Sequence, residues 1–421
     1  MAIPYSDINV LSITHIERIL NRSLPYFFAL VSVATVCGAL LGYIEHDVWR
    51  MGDWLINYQG GMIRRGFLGE IAYQLARFTH INPGFYIVVF QIFFYLVFLS
   101  CSFFLLKKQH FLMPYGLLIF SPFIFAFQII DIQGGFRKEI IYLALLAFVA
   151  YVAKTRKYKS FEKTFYLALL IYPAVILTHE MLAIFLPYIL VAYLSVTTLD
   201  KKNFIYIILL LIPSVVSLIV SVHYSGTTLQ VVEIYNSLSR ENYALVEGGA
   251  ISWLDKNVSY GVELVADRVK NSRYILHYSV TLCLSLIAYF PVHKKIKFIF
   301  ENRLSFFLIM LSIIGSAALF MVAIDWGRFI YIHLVSLFVL SLMPEYKLHR
   351  YNEDLLYKYS SLAKMSAVTF FLLYSMLWSI SHCGASGLYA KNYKQINIVA
   401  FAKPFVKIFI YKFPTIKMYF K

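Results

Sequence analysis

Asp53-Trp54-Leu55-Ile56-Asn57-Tyr58-Gln59-Gly60-Gly61-Met62-Ile63-Arg64-Arg65-Gly66-Phe67-Leu68-Gly69-Glu70 is the stretch that decides how this chain is read. It follows the first long apolar run and breaks with it abruptly, bringing two acids, two adjacent arginines and four glycines. Charges beside a bilayer core are costly and are usually kept for a purpose. Gly60-Gly61 lets backbone N–H groups approach an anion that Arg64 and Arg65 would grip, with Gln59 beside them. The same residues also suit a loop whose arginines reach lipid head groups.

The rest of the chain supplies the apolar background. Of 421 residues, 60% are hydrophobic and only 14% charged, against about 25% charged in a soluble domain. Mean hydropathy is +0.69, and apolar runs of about 20 residues recur. This predicts an all-α, polytopic transmembrane helical bundle of about 11 spans, with polar loops and short surface helices on its outer face. Residues 1–421 read as a single integral membrane domain. The spans are expected at 25–44, 84–106, 111–130, 139–153, 164–178, 181–198, 204–223, 274–292, 305–323, 329–344 and 362–381. The fifth and sixth also read as two halves of a re-entrant pair. The start, with Asp7, Glu17, Arg18 and Arg22, lacks the pattern of a removable signal peptide, so the first span is expected to act as its own signal anchor.

Lysine and arginine in the short loops set the orientation. With the N-terminus cytoplasmic, the inner segments hold Arg18/Arg22, Lys107/Lys108, Lys154 to Lys163, Lys201/Lys202, Lys294 to Arg303 and Lys347 to Lys364. The outer segments hold fewer basic residues. They do hold nearly every unusual polar cluster: the first outer loop (45–83), the turn at Asp131, His179-Glu180, the long loop 224–273 and Asp325-Trp326-Gly327-Arg328. The lysine-rich, amphipathic tail 382–421 falls outside by the odd span count, and inside if one span is miscounted. The chain's net charge of +16 comes from basic residues between apolar runs and reports topology and contact with membrane lipids; no nucleic-acid motif accompanies it.

Asp131-Ile132-Gln133-Gly134-Gly135-Phe136-Arg137-Lys138-Glu139 echoes the opening stretch, with glycines beside paired cations. Gly134-Gly135 is expected where the fourth span begins, its free N–H groups and dipole aimed at a phosphate; a glycine turn with lipid-seeking cations is the plain alternative. His179-Glu180 offers a base or a partner for a sugar hydroxyl, or else a polar surface turn. Asp325, Trp326 and Arg328 suit a sugar face and a phosphate, although Trp is also ordinary at an interface. The four cysteines (Cys37, Cys101, Cys283, Cys383) show no ligand spacing and read as packing. There is no metal motif, Walker A, GxGxxG, DxD or GxSxG sequence, so no cofactor, metal, ATP or nucleotide sugar is expected.

Polar clusters gathered after the first span and in later outer loops resemble membrane glycosyltransferases that use lipid-linked donors. The broad pattern resembles the GT-C class and Wzy-type O-antigen and capsule polymerases of bacteria, and the DW…NYQGGMIRRGFLGE and DWGR stretches resemble sequences of uncharacterised membrane proteins from such polysaccharide clusters. The resemblance implies glycosyl transfer at the periplasmic face of a bacterial inner (plasma) membrane. Its donor and acceptor would be polyprenyl-linked glycans, and its partners would include proteins that set chain length or export the polymer. It implies Asp53 as base, with Asp47 and Glu45 as rivals and His179 or Glu180 as further candidates. It implies Arg64, Arg65, Arg137, Lys138 and Arg328 as phosphate ligands. Gln59, Gly60, Gly61, Asp131, Gln133, Gly134, Gly135, Asp325 and Trp326 would contact the rest of the substrate. Absence of a DxD-like pair departs from the GT-C pattern. A flippase or exporter of lipid-linked glycan, or a non-catalytic assembly protein, are the other expectations.

Overall fold

A computed structural model describes residues 5–156, 158–343, 361–384 and 397–412. The described residues are helical, with no β-sheet among them. In chain order the helices are α1 (Tyr5–Ile44), α2 (Gly52–Leu55), α3 (Phe67–Thr79), α4 (Pro83–Lys107), α5 (Gly116–Ile119), α6 (Phe127–Ile130), α7 (Ile132–Gly135), α8 (Glu139–Thr155), α9 (Tyr158–Thr178), α10 (Leu186–Leu194), α11 (Lys201–His223) and α12 (Thr228–Arg240). They continue with α13 (Gly249–Ser252), α14 (Val258–Asn271), α15 (Tyr274–Ile287), α16 (His293–Glu301), α17 (Arg303–Val322), α18 (Trp326–Ser341), α19 (Ser361–Met376) and α20 (Asn397–Lys412).

Five helices (α1, α4, α9, α11 and α17) are long and apolar enough to cross a membrane; α15 and the segment after it, bent by 48°, make a sixth if they form one span. Their ends carry ordinary caps. Asn82 accepts from Phe85 N ahead of Pro83, Asp200 from Asn203 N, and Asn302 from Leu304 N and Ser305 N, so the first orphan N–H groups are satisfied. α8 packs between α4 and α9, α1 lies along α4, α11 along α9, and α10 against α17.

The remaining expected spans take other forms. The sixth, 181–198, is a 3₁₀ turn over Glu180–Phe185 followed by the nine-residue α10, whereas the fifth lies in a full-length helix, α9. The third, 111–130, is no continuous helix. It runs through a 3₁₀ turn at Met113–Tyr115, α5, a series of turns and α6, because Pro114 and Ser121-Pro122 interrupt the helical ladder. Such backbone survives at membrane depth only when protein covers it. Phe123, Ile124, Phe125 and Phe127 are fully buried, and α1, α19 and α20 pack over α5 and α6 or their flanks. The segment starts where Leu112 N and Met113 N donate to Glu17, in the N-terminal part of α1, and finishes at Asp131, two residues before Gln133, which donates to Asp47 beyond the α1 C-terminus. The predicted basic residues Lys347, Arg350 and Lys358 lie outside the described residues.

Loop 224–273 forms short helices, α12 to α14, as expected. They hold the first loop in place. Asn57 donates to Ser237 Oγ, Ala250 N to Val48 O, and Arg64 N to Tyr224 O. The tail helix α20 packs on α1, and Lys407 pairs with Glu45 at 2.8 Å, which puts this helix at the α1 C-terminal end.

α3 reaches the first loop through Gly69. A Cβ there would lie 1.9 Å from Ile56 O and 2.7 Å from Trp54 O. Gly69→Ala is therefore expected to cost ~1–3 kcal/mol and to lower the thermal midpoint in detergent. Gly116→Ala, whose Cβ meets only Phe371 at 3.7 Å, should leave the midpoint close to that of the unaltered protein.

Candidate functional site

The first loop, the α7–α8 turn, the α9–α10 turn and the start of α18 meet at the end of the bundle where α1 finishes. Arg65 is the link among them. Its Nε donates to both Glu180 oxygens at 3.0 Å, and its carbonyl accepts from Lys138 Nζ at 2.8 Å. A left-handed backbone, φ 68°, lets the carbonyl and side chain of one residue serve two different loops. Arg64 Nη1 stands 3.9 Å from Glu180, and its Nη2 donates to Trp253 O. Arg137 Nη1 donates to Trp49 O at 3.0 Å, its guanidinium 5.2 Å from the Trp49 ring centroid, and lies 3.9 Å from Asp53. Arg328 pairs with Glu139 and Asp325 and lies within electrostatic reach of Arg137, Asp53 and Arg65.

Five cations thus face the carboxylates of Asp53, Glu139, Glu180 and Asp325, leaving an excess of positive charge. The pairing is incomplete in hydrogen bonds. Asp53 Oδ2, Arg64 Nε, Arg137 Nε, His179 Nδ1 and Arg328 Nε are buried with no hydrogen-bond partner among the described residues. Buried polar atoms are seldom left so, and their concentration here marks a place built to receive a polar group.

The field of the cations decides the protonation states. Burial would push the Asp53 carboxyl up, but Lys138 and then Arg137 and Arg65 hold it well below the usual carboxylate range. Glu180 is held low as well: Arg65 chiefly overcomes the effect of burial. Burial and then Arg65 push His179 down to about 3, so at neutral pH it is a neutral imidazole and a weak base. Burial brings Lys138 down to about 8 despite Asp53. An anion among these cations would offset their charge and raise the basicity of Asp53 and His179.

Other expected residues have different roles. Gln59 donates to Glu70, and Gly60 abuts Gln230, where a Cβ would lie 2.9 Å from the backbone. Gly61 has φ 106°. This glycine pair serves a close crossing beneath α12, whereas the sequence pattern suggested an open cradle. The second pair does not open a span: α8 begins at Glu139. Gly134 packs on His382 and Gly135 on Gln128, and their N–H groups donate to Asp131 Oδ1 and Asp131 O, where a phosphate was expected. Gln133 is exposed and donates to Asp47 Oδ2 at 3.4 Å. Asp47 and Glu45 themselves are tied to Arg50, away from the cluster. Trp326 is packed among Tyr274, Tyr278 and Phe320, its Nε1 donating to Phe320 O. Asp131 grips His382, with Nδ1 2.7 Å from Oδ2; against burial, this holds the His382 imidazole up, to about 10.

Trp49, Glu139 and His382 are the site residues that sequence reasoning missed. Glu139 was quotable only as the end of the second motif, and His382 sits beyond the last apolar run without an acid nearby in sequence.

Directly beside the cluster is an apolar cavity of about 420 Å³ between α3, α4, α8 and α9. Phe67, Leu68, Ala144, Val175 and Thr178 are among its lining residues; Thr178 precedes His179 in sequence and Phe67 is two residues beyond Arg65. Phe93, Phe148 and Ile171 on its wall are exposed on the outside of the bundle, so the groove opens sideways.

The fold and this site define a multi-pass α-helical membrane protein with a buried, cation-rich cluster at one end. Compared with known protein families, curated proteins and solved structures, the chain matches none.

Removing Arg65 would leave Glu180 buried without its partner. Arg65→Ala should therefore destabilise by about 3–5 kcal/mol, with part recovered in Arg65→Ala/Glu180→Ala, read by thermal unfolding in detergent. Lys138 loses its charge as pH rises through about 8. Inorganic pyrophosphate binding should weaken over that window by roughly tenfold, one charge-assisted contact, as read by titration calorimetry, while Lys138→Met binds weakly at every pH.

Proposed function

We propose that this protein transfers glycosyl units at the outer leaflet of a bacterial inner membrane, from a polyprenyl-(pyro)phosphate-linked donor to another lipid-linked glycan, most fittingly as an O-antigen or capsule polymerase. The observation that carries this reading is the pairing of two chemistries: the cluster holds guanidinium Nε atoms with no hydrogen-bond partner among the described residues, and its Arg65 and His179 lie within two residues in sequence of Phe67 and Thr178, which line an apolar groove. A phosphate-headed, isoprenoid-tailed donor presents the matching two parts in the same order. Arg64, Arg137 and Arg328 have N–H groups to spare for the phosphate, and Lys138 adds charge behind them.

In that reaction the acceptor hydroxyl oxygen bonds to the anomeric carbon. The bond from that carbon to the phosphate oxygen breaks, and the polyprenyl (pyro)phosphate leaves with the electron pair. The cations stabilise the charge growing on the departing oxygen. Asp53, whose Oδ2 faces Arg137 but accepts no hydrogen bond among the described residues, takes the hydroxyl proton, its basicity raised once the phosphate offsets the surrounding cations. His179, neutral, orients the acceptor.

Transport is the less well supported alternative. Flipping a glycan would call for a polar path through the bundle. His333, midway along α18, is instead held on both nitrogens, by Tyr188 at 2.6 Å and Ser316 at 2.7 Å.

Purified protein given a lipid-linked repeat unit, without ATP or nucleotide sugar, should lengthen the glycan on a gel ladder. Arg64→Ala should cut the rate by about 10²–10³, as for loss of one preorganised donor, with thermal stability kept. Ala144→Trp, which fills the groove, should raise KM for the long-chain donor more than for a short-chain analogue. An unchanged ladder in Arg64→Ala would overturn the assignment.

A further inference from the structure

The segment Trp378–Gly384 lies just beyond α19, and the glycosyl-transfer reading makes no use of it. It is nonetheless firmly docked. Ile380 and Ser381 are buried. Tyr278 OH donates to Ser381 O at 2.9 Å and to His382 O at 3.2 Å, and Gly327 N donates to His382 O at 3.1 Å. Two glycines on separate elements make room for it. A Cβ on Gly327 would lie 1.9 Å from Ser381 O, and one on Gly134 would lie 2.4 Å from His382 Cβ.

The docking assembles a donor set. Asp325, His382 and Cys383 each bring one donor atom, and the three lie within 4.8 Å of one another. Behind them the buried Asp131 holds His382, accepting from its backbone N at 2.6 Å and standing 2.7 and 2.9 Å from Nδ1. A carboxylate on Nδ1 leaves Nε2 as the ring atom that can ligate, which is how metal-binding histidines are usually oriented. One carboxylate oxygen, one imidazole nitrogen and one thiolate sulfur suit a borderline-soft divalent cation; magnesium and calcium take oxygen throughout. The charges favour a cation. Asp131, Asp325 and the thiolate are three negative groups, and Arg328, the ion-pair partner of Asp325, has Glu139 as a second partner.

The geometry points to a zinc-class divalent cation site formed by Asp325, His382 and Cys383, with Asp131 as the positioning residue for His382. The metal displaces the protons of the thiol and of Nε2. Three protein ligands leave a fourth position for water or for a substrate oxygen. The cation would pin the segment after α19 to the start of α18, beside Arg328. This site does not depend on the glycosyl-transfer reading, since its readout is the metal itself.

The test uses the full chain in detergent, carrying no polyhistidine tag, stripped with chelator and reloaded with Zn²⁺ or Co²⁺. One zinc per chain should remain after gel filtration, and cobalt should give a thiolate charge-transfer absorption. Both should be lost in Cys383→Ser and His382→Ala and kept in Cys37→Ser. In the unaltered protein, zinc but not magnesium should slow alkylation of Cys383 at least tenfold, read by mass spectrometry; this measurement holds even where a variant does not fold. No retained zinc, equal retention by Cys383→Ser, or alkylation of Cys383 indifferent to zinc would each overturn the assignment.

Discussion

Burying guanidinium groups at the end of a membrane bundle is the constraint on which the rest of this structure depends. Removing such a group from water costs several kcal/mol unless carboxylates and carbonyls replace the lost hydration. Arg65 meets that requirement with Glu180 from the α9–α10 turn and, through its carbonyl, fixes the Lys138 ammonium. Arg328 meets it with Glu139 and Asp325. Each solution draws a partner from a different loop, so solving the charge problem is also what brings the loops together. The long segment 224–273 then closes over the first loop by backbone contacts at Val48, Met62 and Arg64.

The arrangement trades basicity for affinity. Cations strong enough to hold Asp53 and Glu180 ionised also make them poor proton acceptors until another negative charge arrives. A ligand that neutralises the cluster therefore changes the chemistry of the site as well as filling it. The neighbouring groove sets an apolar surface, with Phe67 and Leu68 among its lining, close to these charges.

Much of this was legible in the sequence because charge next to apolar runs is conspicuous. Asp53, Arg64, Arg65, Arg137, Lys138, His179, Glu180 and Arg328 stood out individually and do converge. Their pairing was not legible. Arg328 meets Glu139 across 189 positions and Asp131 meets His382 across 251, separations on which local pattern is silent. The glycine pairs were misleading for a related reason: a glycine needed for close backbone approach looks the same as one that cradles an anion. Hydrophobicity likewise reports burial and not helicity. The run at 111–130 is as apolar as a span, yet its prolines and its enclosure by other helices make it an irregular crossing.

That enclosed crossing has a bearing on how the chain is assembled. A helix can enter lipid alone, since its backbone groups satisfy one another, but the turns around Pro122 cannot. They need walls before they can leave water or the insertion machinery. One wall, α1, precedes them in synthesis, but α19 and α20 come from the last part of the chain. The centre of the bundle is thus made early but completed only after α19 and α20 have been synthesised and have packed beside it.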